Sequence, residues 1–329
     1  MSVFRSSSLL AAGVILAVGS SAARADMGTA PVTEGIIVGI EGGFLHQDLD
    51  AVNGYGIRSP GGRLGEAFAD PENGWFAGAM LGYASRQPII FNFSRIEGYF
   101  LFGRTEDSVG ASSPPAGDLT IKSVDGSVNV VGGKSASTSV ERHTYEGGLR
   151  LEDDQVVDAV TNVTWVVQPF LRFAEEDTDT VVNGCCSAFR AASVDNRLFG
   201  VLVAVEPEYW FNPGLAIVGR AGVGIYGYNA DGDFRSYSQS PFVPDPFKAS
   251  VSDDESGVGF RGSLGAALKF KISDTSRIET FAEADYFSAV GTAAFSNANP
   301  ANGRASRVDI DDMWELRAGA RLTIGFGSP

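Results

Sequence analysis

Histidine and cysteine are almost missing from this chain, with 2 of each among 329 residues. That scarcity leaves little material for a metal centre or for acid–base chemistry, and no cofactor is expected. A long apolar run is missing as well. The longest, Leu9–Val18, falls well short of the roughly 20 residues that a spanning helix needs. Basic charge is also in deficit, with 25 Lys and Arg against 40 Asp and Glu and a formal net charge of −15. Such acidity repels a phosphate backbone, so nucleic acid is excluded as a partner. Gly222-Val223-Gly224 has no helix after it and therefore lacks the setting of a phosphate-binding loop.

The first 25 residues combine a basic start at Arg5, the apolar run, and Ala23-Arg24-Ala25 before Asp26. This is the pattern of a secretory signal with an A-x-A cleavage site after Ala25. Removing Arg5 and Arg24 would leave 23 basic residues against 40 acidic ones, a charge of −17 for the mature chain. A short segment, 26–34, would then lead into one domain, 35–329. The abundance of glycine (41) and aromatics (22 Phe, 9 Tyr, 4 Trp) fits an all-β domain.

Ten segments alternate apolar with small or polar side chains at period two, as a strand does when one face meets lipid and the other a lumen. They begin near Gly35, Gly74, Ile90, Arg142, Thr161, Arg197, Gly214, Gly257, Ser276 and Asp312, and the last ends at Phe326. In that last segment Trp314, Leu316, Ala318, Ala320, Leu322, Ile324 and Phe326 share one face, opposite Glu315, Arg317, Arg321 and Thr323. The segment from Ile90 has a phase conflict between Phe91/Phe93 and Arg95/Glu97, which a bulge would explain. In the Thr161 segment Phe170 joins the inward face.

The connections sort by parity. Long ones cover Asn53–Pro71, Thr105–Val140, Glu176–Asn196, Asn229–Ser256 and Asn297–Asp309; the intervening ones are brief, at 85–88, 152–159, 212–214 and 273–275. This predicts a closed antiparallel up-and-down transmembrane β-barrel of about ten strands, with 8 or 12 as alternatives, long extracellular loops and short periplasmic turns. Aromatics fall where interfacial girdles belong: Trp75 and Trp314 at the outer ends, and Tyr83, Trp165, Tyr209, Trp210, Phe211, Phe270 and Phe326 at the inner ends.

In its signal-like start, its alternating strands and its final strand Leu316–Phe326 with a late aromatic, the chain resembles bacterial outer-membrane β-barrels of the small, porin-like kind. The resemblance implies an outer-membrane location, lipid and lipopolysaccharide as surroundings, and recognition of the terminal Phe326 by the barrel-insertion machinery. Gly327-Ser328-Pro329 follow that phenylalanine and depart from the pattern.

The inward rows carry Glu41, Arg95, Glu97, Glu146, Arg150, Arg172, Glu206, Glu208, Arg220, Arg261, Lys269, Arg277, Glu279, Glu283, Asp285, Glu315, Arg317 and Arg321. Such charges either line a selective pore or pair with one another in a narrow interior. Cross-strand reach would let Glu279, Glu283 and Asp285 meet Arg317 and Arg321. His46 and His143, near Asp48, Asp50 and Glu141, are the only candidates for a rim hydrolase, and no known motif surrounds them. Cys185 and Cys186 would sit in the third long loop as a vicinal disulfide, an intermolecular link or a redox-sensitive tip. Acidic runs at Glu175-Glu176-Asp177, Asp231/Asp233 and Asp253-Asp254-Glu255 read as solvated loops, or as oxygen-rich sites for Ca²⁺ bridging to lipopolysaccharide, although no calcium-loop spacing is present. The expected function is non-enzymatic, either envelope structure or passive diffusion of small polar solutes; the alternative is a surface adhesin or receptor acting through its loops.

Overall fold

The computed structural model describes residues 34–58, 64–112, 118–122, 124, 128–184, 187–239, 247–295 and 306–328. The segment read as a signal peptide, and Cys185 and Cys186, lie outside these described residues. Thirteen strands are described: β1 (Glu34–Asp48), β2 (Val52–Arg58), β3 (Leu64–Ala69), β4 (Asn73–Ala84), β5 (Arg95–Ser112), β6 (Asp118–Lys122), β7 (Val128–Val156), β8 (Thr161–Gly184), β9 (Ser187–Asn212), β10 (Leu215–Gln239), β11 (Phe247–Lys271), β12 (Ser276–Phe295) and β13 (Ser306–Ser328).

Ten of them close a ring in the order β1-β4-β5-β7-β8-β9-β10-β11-β12-β13, with β13 pairing back onto β1 from Glu34↔Ser328 to Asp48↔Trp314. Every pair in the ring is antiparallel. The short strands β3, β2 and β6 form a side branch attached to the start of β7. Closure matters energetically, because a hydrocarbon environment offers no partner for an unpaired backbone group.

The polarity of this ring is inverted relative to a water-soluble protein. Ile36, Val38, Ile40 and Phe44 on β1, and Phe199, Val201 and Val203 on β9, stand exposed on its outside, while Glu146, Arg172, Arg261 and Asp285 are buried inside. An apolar outer face of this kind is stable only against lipid. On β13 the belt runs from Trp314 to Phe326, which at about 3.3 Å per residue and a tilt near 40° spans roughly 30 Å, the thickness of a bilayer core.

Seven strands, β7 to β13, have 20 or more residues, about twice what a membrane strand requires. The surplus stands beyond the belt on the side away from the termini, and there the polarity reverts. On β8 the outward residues change from Trp165, Leu171 and Phe173 to Glu175, Asp177 and Asp179; the inward ones change from Arg172 to Thr178, Thr180 and Val182. This outer head has an ordinary apolar core, built from Val140, Val194, Ala230, Phe234, Phe295 and Val308 with Val52 and Ala69 from the side branch.

Several expectations therefore need correction. Most of the expected long outer loops are continuations of strands: β8 and β9 run to Gly184 and from Ser187, and β7 starts at Val128, well before Arg142. The strand expected from Ile90 starts at Arg95 without a bulge. Ile90 and Phe93 close a tight turn in which Phe91 adopts a φ of 51°, so the phase conflict came from counting turn residues as strand. Trp210 is not a girdle residue but is buried, pointing inward at the end of the barrel that carries the termini.

Candidate functional site: the barrel lumen

Alternation along ten strands delivers every predicted lumen charge to the interior, and each belongs to at least one ion pair. At mid-height six of them form a closed cycle of alternating sign. Arg172 bridges Glu146 (3.4 Å) and Glu315; Arg317 bridges Glu315 (3.5 Å) and Asp285 (2.7 Å); Arg261 bridges Asp285 (3.0 Å) and Glu146 (3.0 Å). Three acids and three bases cancel, and all six are buried. The remaining lone pairs are used too. Tyr99 Oη donates to Glu146 (3.0 Å), and Gln47 Nε2 donates to Glu315 (2.9 Å). A buried charge without such partners would cost several kcal/mol.

An apolar layer lies on the outer side of this cycle, made of Leu49, Phe170, Leu198, Tyr226, Phe287, Val290 and Met313. Phe287 faces two of the guanidinium groups, Arg172 at 4.5 Å and Arg261 at 5.0 Å from the ring centroid. The inward placement of Phe170 is thus explained: it packs under Tyr226 at 6.4 Å and takes Arg261 at 4.8 Å.

On the side of the chain termini the lumen widens into a cavity of about 350 Å³ that ends at Glu146, Arg261 and Arg317 of the cycle. Its walls are lined with paired charges. Arg95 contacts Glu97 and Glu152; Arg150 contacts Glu152 and Glu206; Arg220 contacts Glu206 (2.8 Å); Lys269 contacts Glu208 (2.6 Å) and Glu279. Arg321 holds Glu41 (2.6 Å) and Glu279 (3.3 Å), Arg277 holds Glu279 (3.2 Å), and Arg317 holds Glu283 (3.2 Å). Glu279 and Glu283 stand directly opposite Arg321 and Arg317 in the β12–β13 register.

The sequence reading missed Glu152, which it placed in a turn, although it shares even parity with Arg150 and is buried. It also misplaced Glu176 in an acidic loop. Glu176 is buried beside Arg142 at 2.7 Å and accepts from Thr292 Oγ1 and Ala293 N, both at 3.0 Å. The polarity reversal at Glu175 was the available signal.

The two histidines do not converge. His46 is on β1 against Asn73 Oδ1 (3.2 Å), and His143 is on β7 against Glu141 (2.6 Å), with β4 and β5 between their strands. Both side chains occupy the outward parity at the upper edge of the belt. Just above it, cross-strand neighbours Glu175, Asp195, Asp231 and Asp254 form an acidic row. Burial, then Asp177 and Asp195, push the Glu175 carboxyl above the usual carboxylate range.

At the outer rim Asp70 is held up to about 6 by burial and by the carboxylates of Glu72 and Asp48, with Arg142 opposing. Its backbone N–H also donates to Asp107 Oδ2 at 2.8 Å. Because the folded value lies above the unfolded one, the native state takes up a proton between about pH 6 and 4. Stability from this group is thus present at low pH and lost as pH rises through about 6. Asp70→Asn should raise stability at pH 7.5 by about 1 kcal/mol after allowing for solvent screening, and should flatten the pH dependence between about 4 and 6 in urea titrations. An unchanged slope would remove Asp70 as its source.

The chain matches no family model and no curated protein. Among solved structures it aligns with the outer membrane protease OmpT of Escherichia coli at 10% identity and a TM-score of 0.43, covering 89% of this chain and 97% of that one. The translocator domain of the autotransporter NalP of Neisseria meningitidis aligns at 10% identity and 0.38, over 89% of each chain. A FadL homologue of Pseudomonas aeruginosa aligns at 11% identity and 0.26, over 89% and 90%. The likenesses are too distant to carry an argument. The architecture of a closed transmembrane β-barrel rests instead on the closed ring and its apolar belt.

Proposed function

We propose that this protein is a non-enzymatic barrel of the bacterial outer membrane that contributes to envelope structure and is closed to passive diffusion in the conformation described. The observation that carries this reading is the neutral cycle of Glu146, Arg172, Glu315, Arg317, Asp285 and Arg261 across the lumen, capped by the apolar layer around Phe287. An ion entering from the periplasmic cavity would have to break paired charges and then cross a layer without polar partners. The belt between Trp314 and Phe326 supports lipid and lipopolysaccharide as the surroundings, and exposed Phe326 on the last strand supports delivery by the barrel-insertion machinery. Separation of His46 from His143 supports the non-enzymatic reading.

Purified protein in a planar bilayer should show no sustained ohmic current at moderate voltage. Stable unitary steps from the unmodified barrel would overturn the closed reading and restore passive diffusion. A second reading has one observation in its favour: the tall outer head presents the acidic row from Glu175 to Asp254 to the exterior, a surface suited to a cationic partner.

A further inference from the structure

One seam in the ring is incomplete. β11 pairs with β10 over nearly its whole length, from Leu215↔Phe270 to Ser238↔Phe247, but with β12 only from Lys271↔Arg277 to Arg261↔Phe287. Above that point no described strand pairs with the other edge of β11. The strand that should continue the wall, β12 beyond Phe287, has left it: its ladder with β13 shifts register between Phe287 and Val290, and residues 289–293 are all buried inside the head.

What replaces the lost ladder is a set of side chains from three successive strands of the opposite wall. Tyr226 Oη on β10 accepts from Ala289 N and donates to Ala289 O, both at 3.0 Å. Asn196 on β9 accepts from Gly291 N (2.6 Å) and donates to Gly291 O (2.8 Å). Glu176 on β8 accepts from Ala293 N (3.0 Å). Every second residue of β12 thus finds a substitute for β11, one strand further around the barrel each time. Among the described residues two bonds tie the hairpin to the edge it left: Phe260 N donates to Ser288 Oγ (2.8 Å), and Val308 N of β13 donates to Asp253 Oδ2 (3.1 Å).

We propose that β12 beyond Phe287, with the stretch of β13 paired to it from Val290↔Asp311 to Phe295↔Ser306, is a gate with two seats, hinged at the register shift after Phe287. In the inner seat, the one described, it fills the head. In the outer seat it zips onto the edge of β11 between Glu255 and Gly259, with which no described strand pairs, and completes the wall. Continuing the Arg261↔Phe287 register would place Ala289 opposite Gly259, Gly291 opposite Gly257 and Ala293 opposite Glu255. Five of those six residues are glycine or alanine, so neither strand has bulk near the hinge to obstruct zipping. Gly259 also serves the inner seat, since a Cβ there would lie 2.5 Å from Cζ of Tyr226. Both seats satisfy the β12 backbone, one through side chains and one through a ladder, which is the condition for a bistable element. Zipping would withdraw Ala293 and Phe295 from the outer core and open the head down to the apolar layer around Phe287. This goes beyond a closed barrel to a closure that can be released, and position, not current, decides it.

Two disulfide pairs distinguish the seats in a Cys185→Ser, Cys186→Ser background reconstituted in liposomes. Thr292→Cys with Glu176→Cys reports the inner seat, and Thr292→Cys with Ser256→Cys reports the outer one. The first pair should link on oxidation. The second should link in a minor fraction, and that fraction should rise at least about tenfold when Asn196→Ala and Tyr226→Phe remove four hydrogen bonds from the inner seat. Asn196→Ala alone serves if the combined variant loses its heat-modifiable mobility. Absence of the 256–292 disulfide in the weakened, folded barrel, or a yield unmoved by the weakening, would overturn the gate. A conductance result on the unmodified protein bears on the closed reading alone.

Discussion

Replacing Arg172 with methionine should lower the unfolding free energy by about 3–5 kcal/mol, the usual cost of leaving buried charge without its partner. Arg172 is 2% exposed and stands between Glu146 and Glu315 in the six-membered cycle. Methionine keeps much of the volume and the contact with Phe287 but takes the cycle from neutral to −1, with two carboxylates turned toward the gap. A second variant, Arg172→Met with Glu315→Gln, removes one charge of each sign. It should recover at least half of the loss, because Arg317 keeps Asp285 and Glu283, and the amide can still accept from Gln47. The measurement is the urea midpoint for loss of the heat-resistant gel band, compared across the three proteins. A loss below about 1 kcal/mol in the single variant would mean that water screens the cycle, and the lumen would then not be sealed there.

The membrane-embedded half of this barrel was legible because its period-two pattern is strong where lipid faces charge. Strand starts expected at Gly35, Gly74, Thr161, Gly214 and Ser276 fall within one residue of β1, β4, β8, β10 and β12. The strand expected at Ile90 begins later, at Arg95, and four others begin earlier than expected, at Val128, Ser187, Phe247 and Ser306, for one physical reason. Above the belt the outer face is polar and the inner face apolar, so a search for lipid-facing residues stops at Phe173 and reads Glu175-Glu176-Asp177 as loop. Alternation itself never stops there; only its sign changes.

The site was legible in the same partial way. Parity alone carried Glu41, Arg95, Glu206, Arg261, Asp285 and the rest into the lumen, and adjacent strands gave Glu283 with Arg317. Pairs that cross the lumen, such as Arg172 on β8 with Glu315 on β13, depend on barrel diameter and strand stagger, which local pattern does not encode. The choice between a lined pore and a packed interior therefore needed coordinates. So did the departure of β12 from β11, since Ser288, Ala289 and Gly291 alternate no differently from a strand that stays in the wall.

Phe287 joins these two features, and Phe287→Ala should be the most damaging single change to an apolar side chain, at about 3–5 kcal/mol. It is the last β12 residue to pair with β11, it is fully buried, and its ring meets Tyr226 at 6.0 Å as well as the guanidinium groups of Arg172 and Arg261. Truncation to alanine would open a void directly above the ion cycle, where water could enter from the head. Phe287→Leu separates packing from the cation contact: leucine fills most of the space but offers no ring face, so its cost should be smaller, about 1–2 kcal/mol. Urea midpoints measure both. If leucine proves as damaging as alanine, the two guanidinium contacts hold the layer together; if both fall below about 1 kcal/mol, the layer is not packed as a seal. The expected order, alanine well beyond leucine, would make Phe287 a packed cap that keeps the paired charges dry, with the hinge of the outer hairpin set immediately above it.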